Sequence, residues 1–120
     1  MEKAQSTNRY RELKERTKLF AKRCRDYVKK LPRTISNIEY GKQLIRSSGS
    51  QAANYIEANE ALSKKDFSHR TRICRKEAKE SGLWIDFTEP LNSGKETQKA
   101  LFTETEELRK IFSSILNKSN

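Results

Sequence analysis

The apolar residues of this chain recur at helical spacing in four successive stretches. In the first stretch they follow steps of seven, four, three and four, through Leu13, Phe20, Cys24, Tyr27 and Leu31. Such spacing places them on one stripe of an amphipathic helix. Pro32 ends the pattern, because the residue before a proline is pushed out of the α region. The sequence therefore predicts a first helix over about residues 7–31.

The second stretch predicts a helix over about residues 36–62. Ser36 and Glu39 have the spacing of a capping box, which marks a helix start. The centre of this segment, residues 47–53, is nearly free of large side chains. Small residues let another backbone approach closely, which offsets their poor helix propensity. The alternative is a loop at this centre that splits the segment into two short helices.

The third and fourth stretches predict helices over about residues 64–89 and 94–117. Ser63 can cap the third helix, and Pro90 stops it. Ser93 opens a second capping-box pattern before the fourth helix. Four amphipathic helices joined by short connections favour antiparallel neighbours, since short loops reverse the chain direction. We predict an all-α fold, an antiparallel up-and-down four-helix bundle.

Composition agrees with one helical domain over residues 1–120. Charged residues make up 35% of the chain and apolar residues 33%, and Gly and Pro together number only six. This mixture is poor in turn residues and favours long helices over many short strands. A low apolar fraction makes a lone monomer marginal, so we expect a homo-oligomer, which buries more surface per chain.

The positive charge is the strongest indication of a partner. The net charge is +10, and it is uneven: residues 1–80 carry 21 Lys and Arg against 10 acidic residues, whereas residues 81–120 carry 5 against 6. Such a surplus favours RNA or DNA, because neutralised phosphates release counterions. The alternative is a basic surface that only keeps the protein in solution.

Two basic stretches are candidates for phosphate contact. On the third helix, cations recur at steps of seven, four and three, a row that can follow a phosphate backbone without reading sequence. The outer face of the first helix is also basic, and we expect the two stretches to face water together and to grip one anionic strand. The predicted contacts are Arg16, Arg23, Lys65, Arg72, Arg75, Lys76 and Lys79. Three tyrosines either stack on bases of single-stranded RNA or occupy ordinary half-buried positions, namely Tyr10, Tyr40 and Tyr55.

A second polar set lies at helical spacing among apolar residues. It consists of Arg46, Asn54, Glu57, Glu77 and Glu80. In an antiparallel pair of helices, Arg46 reaches Glu77 or Glu80, and Asn54 lies level with residues 70–73. We interpret the set as a structural network that orders the bundle, with a ligand site as the alternative. Lys76 fits both the network and the phosphate row, and its exposure distinguishes the two.

Nothing in the sequence indicates catalysis, a cofactor or a metal. Di-iron bundles need Glu-x-x-His on two helices, and the only histidine, His69, follows Asp66 at that spacing. Cys24 and Cys74 are interpreted as core residues in a reducing compartment. Cys74 has basic neighbours but no identifiable general base. With no apolar leader and no spanning segment, we expect a cytoplasmic, non-enzymatic protein without membrane contact.

The second and third helices carry a pattern of specific residues over about a third of the chain. It reads Gln43-Leu44-x-Arg46-Ser47, Ala53-Asn54-x-x-Glu57-Ala58, Ser63-Lys64-Lys65-Asp66-Phe67 and Ile73-x-x-Lys76-Glu77-Ala78-x-Glu80-x-x-x-Trp84. In this the chain resembles the S23 family, the proteins encoded by intervening sequences within 23S ribosomal RNA genes. More distantly, it is similar to the accessory variability proteins of diversity-generating retroelements.

The resemblance implies a four-helix bundle that assembles into a ring, with a homopentamer as the favoured state. For the retroelement relatives it implies a basic ring that binds nucleic acid and a reverse transcriptase. For the intervening-sequence proteins it implies no settled activity, and it supplies no catalytic residue. The competing function is an oligomeric scaffold or protein-interaction module without a nucleic-acid role.

Overall fold

The computed structural model describes the backbone of residues 2–119 and the side chains of residues 8–118. Four α-helices account for most of it, and a short 3₁₀ turn, Asn92–Gly94, precedes the last. They are α1 (Glu2–Lys29), α2 (Ile35–Asn59), α3 (Lys64–Phe87) and α4 (Lys95–Ser119). The all-α bundle predicted from apolar periodicity is confirmed.

The helices run up and down in sequence order, and each packs against its neighbour in the chain. Contacts join α1 to α2, α2 to α3, α3 to α4, and α4 back to α1. The α1 and α3 helices therefore lie diagonally across the bundle. The molecule is a rod of 48 × 23 × 19 Å. This arrangement decides which helix faces can form a shared surface.

All four helices contribute to one core. Phe20, Leu44, Ile85, Leu108 and Phe112 are each 1% exposed or less. They occupy the apolar stripes that the sequence indicates, and burial of a large side chain of this kind contributes roughly 1.5–3 kcal/mol. The polar flanks of the same helices are left to form the surface.

The small residues at the centre of α2 bring α2 and α3 together. The hydroxyls of Ser47 and Ser81 lie 2.8 Å apart, and both side chains are buried. Because α2 is continuous through this region, the loop alternative is wrong. Gly49 differs from the serines, since a methyl group placed there would meet no atom within 4 Å.

Several helix ends differ from their predicted positions. Thr34, and not Ser36, caps α2: its hydroxyl accepts a hydrogen bond from the Asn37 N–H. The side chain of Asn37 donates hydrogen bonds to the carbonyls of Pro32 and Glu89, outside the helix. The second helix also ends three residues earlier than predicted, because Leu62 is fully exposed and gains nothing from continuing the helix. Ser63 caps α3 through the Asp66 N–H, as predicted.

The outer ends of the first and third helices also differ. The α1 helix begins at Glu2, earlier than predicted, because its first residues are mostly good helix formers that carry no apolar signal. The α3 helix ends at Phe87, and Thr88 is extended. There the Thr88 hydroxyl donates to the Ile85 carbonyl at 2.6 Å, which satisfies one of the terminal carbonyls.

Candidate nucleic-acid interface

The predicted row of cations on α3 lies on the flank of that helix that faces α4. Arg72, Lys76 and Lys79 are exposed. Arg75 donates a hydrogen bond of 3.5 Å to the hydroxyl of Ser113 on α4. At 1.5 Å per residue, Arg72 and Lys79 are about 10 Å apart along the helix. Of the two roles open to Lys76, its exposure leaves the phosphate contact.

The α4 helix supplies the opposite wall, and together the two helices form a groove of about 870 Å³, here called the cationic groove. Its lining residues are Arg72, Arg75, Lys76 and Lys79 from α3 and Arg109, Lys110, Ser113, Ser114, Asn117 and Lys118 from α4. The sequence analysis missed the three cations of α4. Their signal is the i, i+4 spacing of polar residues between Arg109 and Lys118, opposite the apolar stripe of the same helix.

Few acids compensate this charge. Arg109 pairs with Glu106 at 2.9 Å and Lys110 with Glu107 at 3.8 Å. The other five cations of the groove form no ion pair with the side chains that the structure describes. The Nε of Arg109 is buried and has no acceptor within the same residues. The groove therefore carries a strong positive potential, of the kind that attracts phosphates.

Arg46 holds the acidic residues of α3 on the other side of that helix. From α2, its guanidinium donates to Glu77 at 3.1 Å and to Glu80 at 3.2 Å, as the sequence indicates. The Glu77 side chain is 7% exposed. Both carboxylates thus face the α2–α3 interface. This arrangement keeps these two of the four acidic residues of α3 away from the cationic groove.

The remaining members of the predicted polar network are separate from this cluster. Asn54 accepts a hydrogen bond of 3.2 Å from Arg70, about two turns nearer to the α2–α3 connection. Glu57 is exposed, and its carboxylate forms no ion pair or hydrogen bond within residues 8–118. Glu57 is therefore not part of a network within the bundle, because it points to solvent from α2. Its assignment to packing between subunits stays a prediction. The structure has two links between α2 and α3.

The two predicted phosphate contacts on α1 are not part of the groove. Arg16 is bound to Glu104 by a bidentate pair with distances of 2.7 and 2.8 Å. This hydrogen-bonded carboxylate raises the pKa of Arg16, which stays protonated. The negative charge of Glu104 compensates the positive charge of the guanidinium. Arg23 lines a different cleft, beside Tyr27 and Leu91, at the opposite end of the rod. The expected surface shared by α1 and α3 does not form, because these helices are diagonal.

Lys65 and the three candidate stacking tyrosines also lie outside the groove. Lys65 is exposed at the start of α3. Tyr10 packs on Tyr55, with ring centres 5.6 Å apart, and Tyr55 is buried. Tyr40 stacks on Trp84 at 5.9 Å. Of the two interpretations of these tyrosines, their packing within the bundle favours the ordinary structural position.

The cysteines lack the features of nucleophiles. Cys24 and Cys74 are fully buried, and burial raises the pKa of each thiol to about 12. Within the described residues, no three His, Cys, Asp or Glu side chains are grouped to hold a metal. None of the described helices is long and apolar enough to cross a membrane. The chemistry that the groove offers is electrostatic binding of anions.

Comparison with known proteins finds a family and a solved structure that are similar to this chain. The family of 23S rRNA-intervening sequence proteins matches residues 10–114. A crystal structure of a protein with unknown function from the S23 ribosomal protein family of Bacteroides thetaiotaomicron superimposes with a TM-score of 0.74. The two chains are 27% identical, and the alignment covers 86% of this chain and 96% of the other. No curated protein matches.

Proposed function

The chain belongs to the family of 23S rRNA-intervening sequence proteins, and from that premise we propose that it is a non-enzymatic protein that binds RNA or DNA through the cationic groove. The binding is directed at the phosphate backbone and is independent of sequence. The proposed binding surface therefore consists of residues from α3 and α4, and not of residues from α1 and α3 as the sequence alone indicates.

The observation that carries this proposal is the segregation of charge around α3. Four cations of one helix and three of its neighbour line a single groove. The acids of α3 at positions 77 and 80 are held by Arg46 on the far side. Clustering cations at i, i+3 and i, i+4 spacing destabilises the helix, because like charges repel. A basic surface that served solubility alone would not require such clustering.

A salt titration tests the proposal. Affinity for a mixed-sequence nucleic acid is measured by fluorescence anisotropy at several salt concentrations. With about six phosphates neutralised, log affinity falls with log salt concentration at a slope of about −4 to −5. Absence of binding at low salt would refute the proposal and favour an oligomeric scaffold or protein-interaction module.

A matched pair of variants locates the surface. The double variant Arg72→Gln/Lys76→Gln removes two charges from the groove and is expected to lower affinity about 10-fold or more, with a slope reduced by about two. The control Lys22→Gln/Lys29→Gln removes the same charge from exposed positions of α1. Equal losses in the two variants would show that only total charge matters, and not the groove.

We also propose that the protein is a homo-oligomer, and the family resemblance favours a pentamer. Support comes from exposed apolar side chains on α3: Leu83 is 45% exposed and Phe87 is 44% exposed. Phe87 extends a ring cluster with Tyr40 and Trp84. Sedimentation of the wild type and of Leu83→Ser/Phe87→Ser tests this. A wild-type monomer at micromolar concentration contradicts it. A reverse transcriptase as protein partner stays a prediction from the resemblance.

A further inference from the structure

The lining of the cationic groove is polar throughout. Its ten residues are arginines, lysines, two serines and one asparagine, and none of them is aromatic or aliphatic. Single-stranded nucleic acid exposes the faces of its bases. Proteins that bind it stack those bases on aromatic rings, and each stacked base contributes roughly 1–3 kcal/mol. The cationic groove offers charge and hydrogen bonds but no aromatic stacking platform.

The phenylalanines nearest to the groove on α3 and α4 do not line it. Phe112 is fully buried in the core. Phe67 lines the adjoining depression between α1 and α4, which shares only Ser114 and Lys118 with the groove. Phe102 packs toward the opposite end of α4, beside Asp86 and Gln98. A strand that lies in the groove therefore meets no ring on which its bases can stack.

We infer that the ligand of the cationic groove is a double helix, gripped by the phosphodiester backbone of one edge. This inference rests on the proposed function and adds the class of nucleic acid. In a duplex the bases are already stacked and paired, so a binding site needs to supply only phosphate and sugar contacts. Duplex also presents more charge per unit length, about one phosphate per 1.7 Å of axis for DNA.

The dimensions of the groove agree with a backbone ridge. Cations stand on both walls, so a convex strand backbone between α3 and α4 meets positive charge from two sides. Arg72 and Lys79 are separated by about 10 Å along the axis, enough to span successive phosphates of one strand. Ser113, Ser114 and Asn117 at the α4 wall supply hydroxyl and amide groups that contact phosphate or sugar oxygens.

The test compares a mixed-sequence duplex of about 16 base pairs, the length that double-stranded RNA-binding domains span, with an unstructured single strand that has the same number of phosphates. The expected result is that duplex binds about 10-fold or more tightly at equal salt. RNA and DNA duplexes form separate arms. Equal affinity for the RNA duplex and the DNA duplex indicates phosphate contact alone. Tighter binding of the RNA duplex indicates contact with the 2′-hydroxyl. Both results support a duplex ligand.

A variant that adds a ring provides a converse test. Asn117→Tyr replaces an amide contact on the exposed α4 wall by an aromatic ring. It is expected to raise single-strand affinity and to reduce the ratio of duplex to single-strand affinity about 5-fold or more. If the wild type binds single strands as tightly as duplex, the inference is overturned. Loss of that binding in Arg72→Gln/Lys76→Gln would then still uphold the proposed function. If neither ligand binds at low salt, both fail.

Discussion

The two ends of the α3–α4 pair use polar side chains in opposite ways. At the α3–α4 connection, Asn37 donates to the carbonyls of Pro32 and Glu89 and accepts from the Glu89 N–H. Gln98 donates to the carbonyls of Ile85 and Thr88. At the cationic groove, five charges have no acidic partner among the described side chains. One end satisfies its polar groups internally, and the other leaves them available.

This difference separates stability from binding. A buried amide with all its hydrogen bonds made fixes the connection, and loss of one partner leaves others unsatisfied at a cost of about 1–3 kcal/mol each. A crowded cationic surface contributes no stability, because its charges repel one another. Variants at the connection should therefore lower stability with little change in affinity, and variants at the groove should lower affinity without lowering stability.

The largest expected effect is that of Asn37→Ala. It removes three hydrogen bonds from a side chain that is 2% exposed. The Glu89 N–H and carbonyl lose their partner, whereas the Pro32 carbonyl keeps the Thr34 N–H. We expect the free energy of unfolding to fall by about 3 kcal/mol, as measured by urea denaturation. Nucleic-acid affinity of the folded protein should stay within about 2-fold, since the groove lies at the other end.

Asn92→Ala is the control for this prediction, since it changes an exposed asparagine in the 3₁₀ turn at the same end of the rod. It should alter the free energy of unfolding by about 0.5 kcal/mol or less. A comparable loss in both variants would mean that Asn37 does not hold the connection. A large loss of affinity in Asn37→Ala would mean that the two ends are coupled, contrary to the comparison.

Much of the fold follows from the sequence because it depends on local periodicity and turn residues. The apolar steps from Leu13 to Leu31, the cap at Ser63 and the stop at Pro90 are each readable within a few positions. The start of α2 was misread for a physical reason. Thr34 and Ser36 are both suitable N-cap residues, two positions apart, and the local pattern does not show that the Thr34 hydroxyl is the one that accepts the Asn37 N–H.

The candidate site was predictable in part. The α3 row is periodic and appears in the sequence, but its partner wall depends on which helices adjoin. The average charge of residues 81–120 concealed α4, because all six acids there precede Leu108 and three cations follow it. Arg16 was misassigned because its neutralisation by Glu104 requires the register between α1 and α4. Charge averaged along a chain does not show how it is divided in space.

Arg46→Ala tests the link between the two kinds of polar residue, and it should have the second largest effect. It leaves the nearly buried Glu77 carboxylate without its cation. We expect a loss of about 1–2 kcal/mol in unfolding free energy, less than a fully buried pair because the Arg46 side chain is 53% exposed. Lys42→Ala, which breaks an exposed pair with Glu39, should cost about 0.5 kcal/mol or less.

The same Arg46→Ala variant should also weaken nucleic-acid binding, by about 2- to 5-fold, because Glu80 is no longer neutralised beside the groove helix. The Lys42→Ala control removes an equal charge and should change affinity less. If both variants bind alike, then Arg46 stabilises the fold and has no part in shaping the potential of the groove.

Cys74 and Arg75 adjoin in sequence but belong to opposite faces of α3, which gives a pH test of that division. Burial raises the pKa of the Cys74 thiol to about 12, whereas the ordinary value is 9.0. Its stabilising contribution is complete below pH 9 and is lost as pH rises toward 12, because the unfolded chain ionises first. At pH 10, Cys74→Ala should remove a pH-dependent loss on the order of 1 kcal/mol. Rapid thiol labelling of the native protein at pH 7 would contradict the burial.

The smallest effect has the most informative sign. Arg72→Gln/Lys76→Gln removes like-charge neighbours at i, i+3 and i, i+4 spacing along α3, each of which costs a few tenths of a kcal/mol. This variant is expected to bind nucleic acid less well. Its free energy of unfolding at low salt should nevertheless be about 0.5 kcal/mol higher than that of the wild type. Calorimetry at low and high salt measures it, and the gain should vanish at high salt because exposed charges are screened there. Lys22→Gln/Lys29→Gln should gain less, because it relieves repulsion with Lys18 and Arg25 but also removes the attraction of both lysines to Asp26. A groove variant that is destabilised at low salt would show that the protein itself uses these cations, and the distinction between the two ends of the α3–α4 pair would be lost.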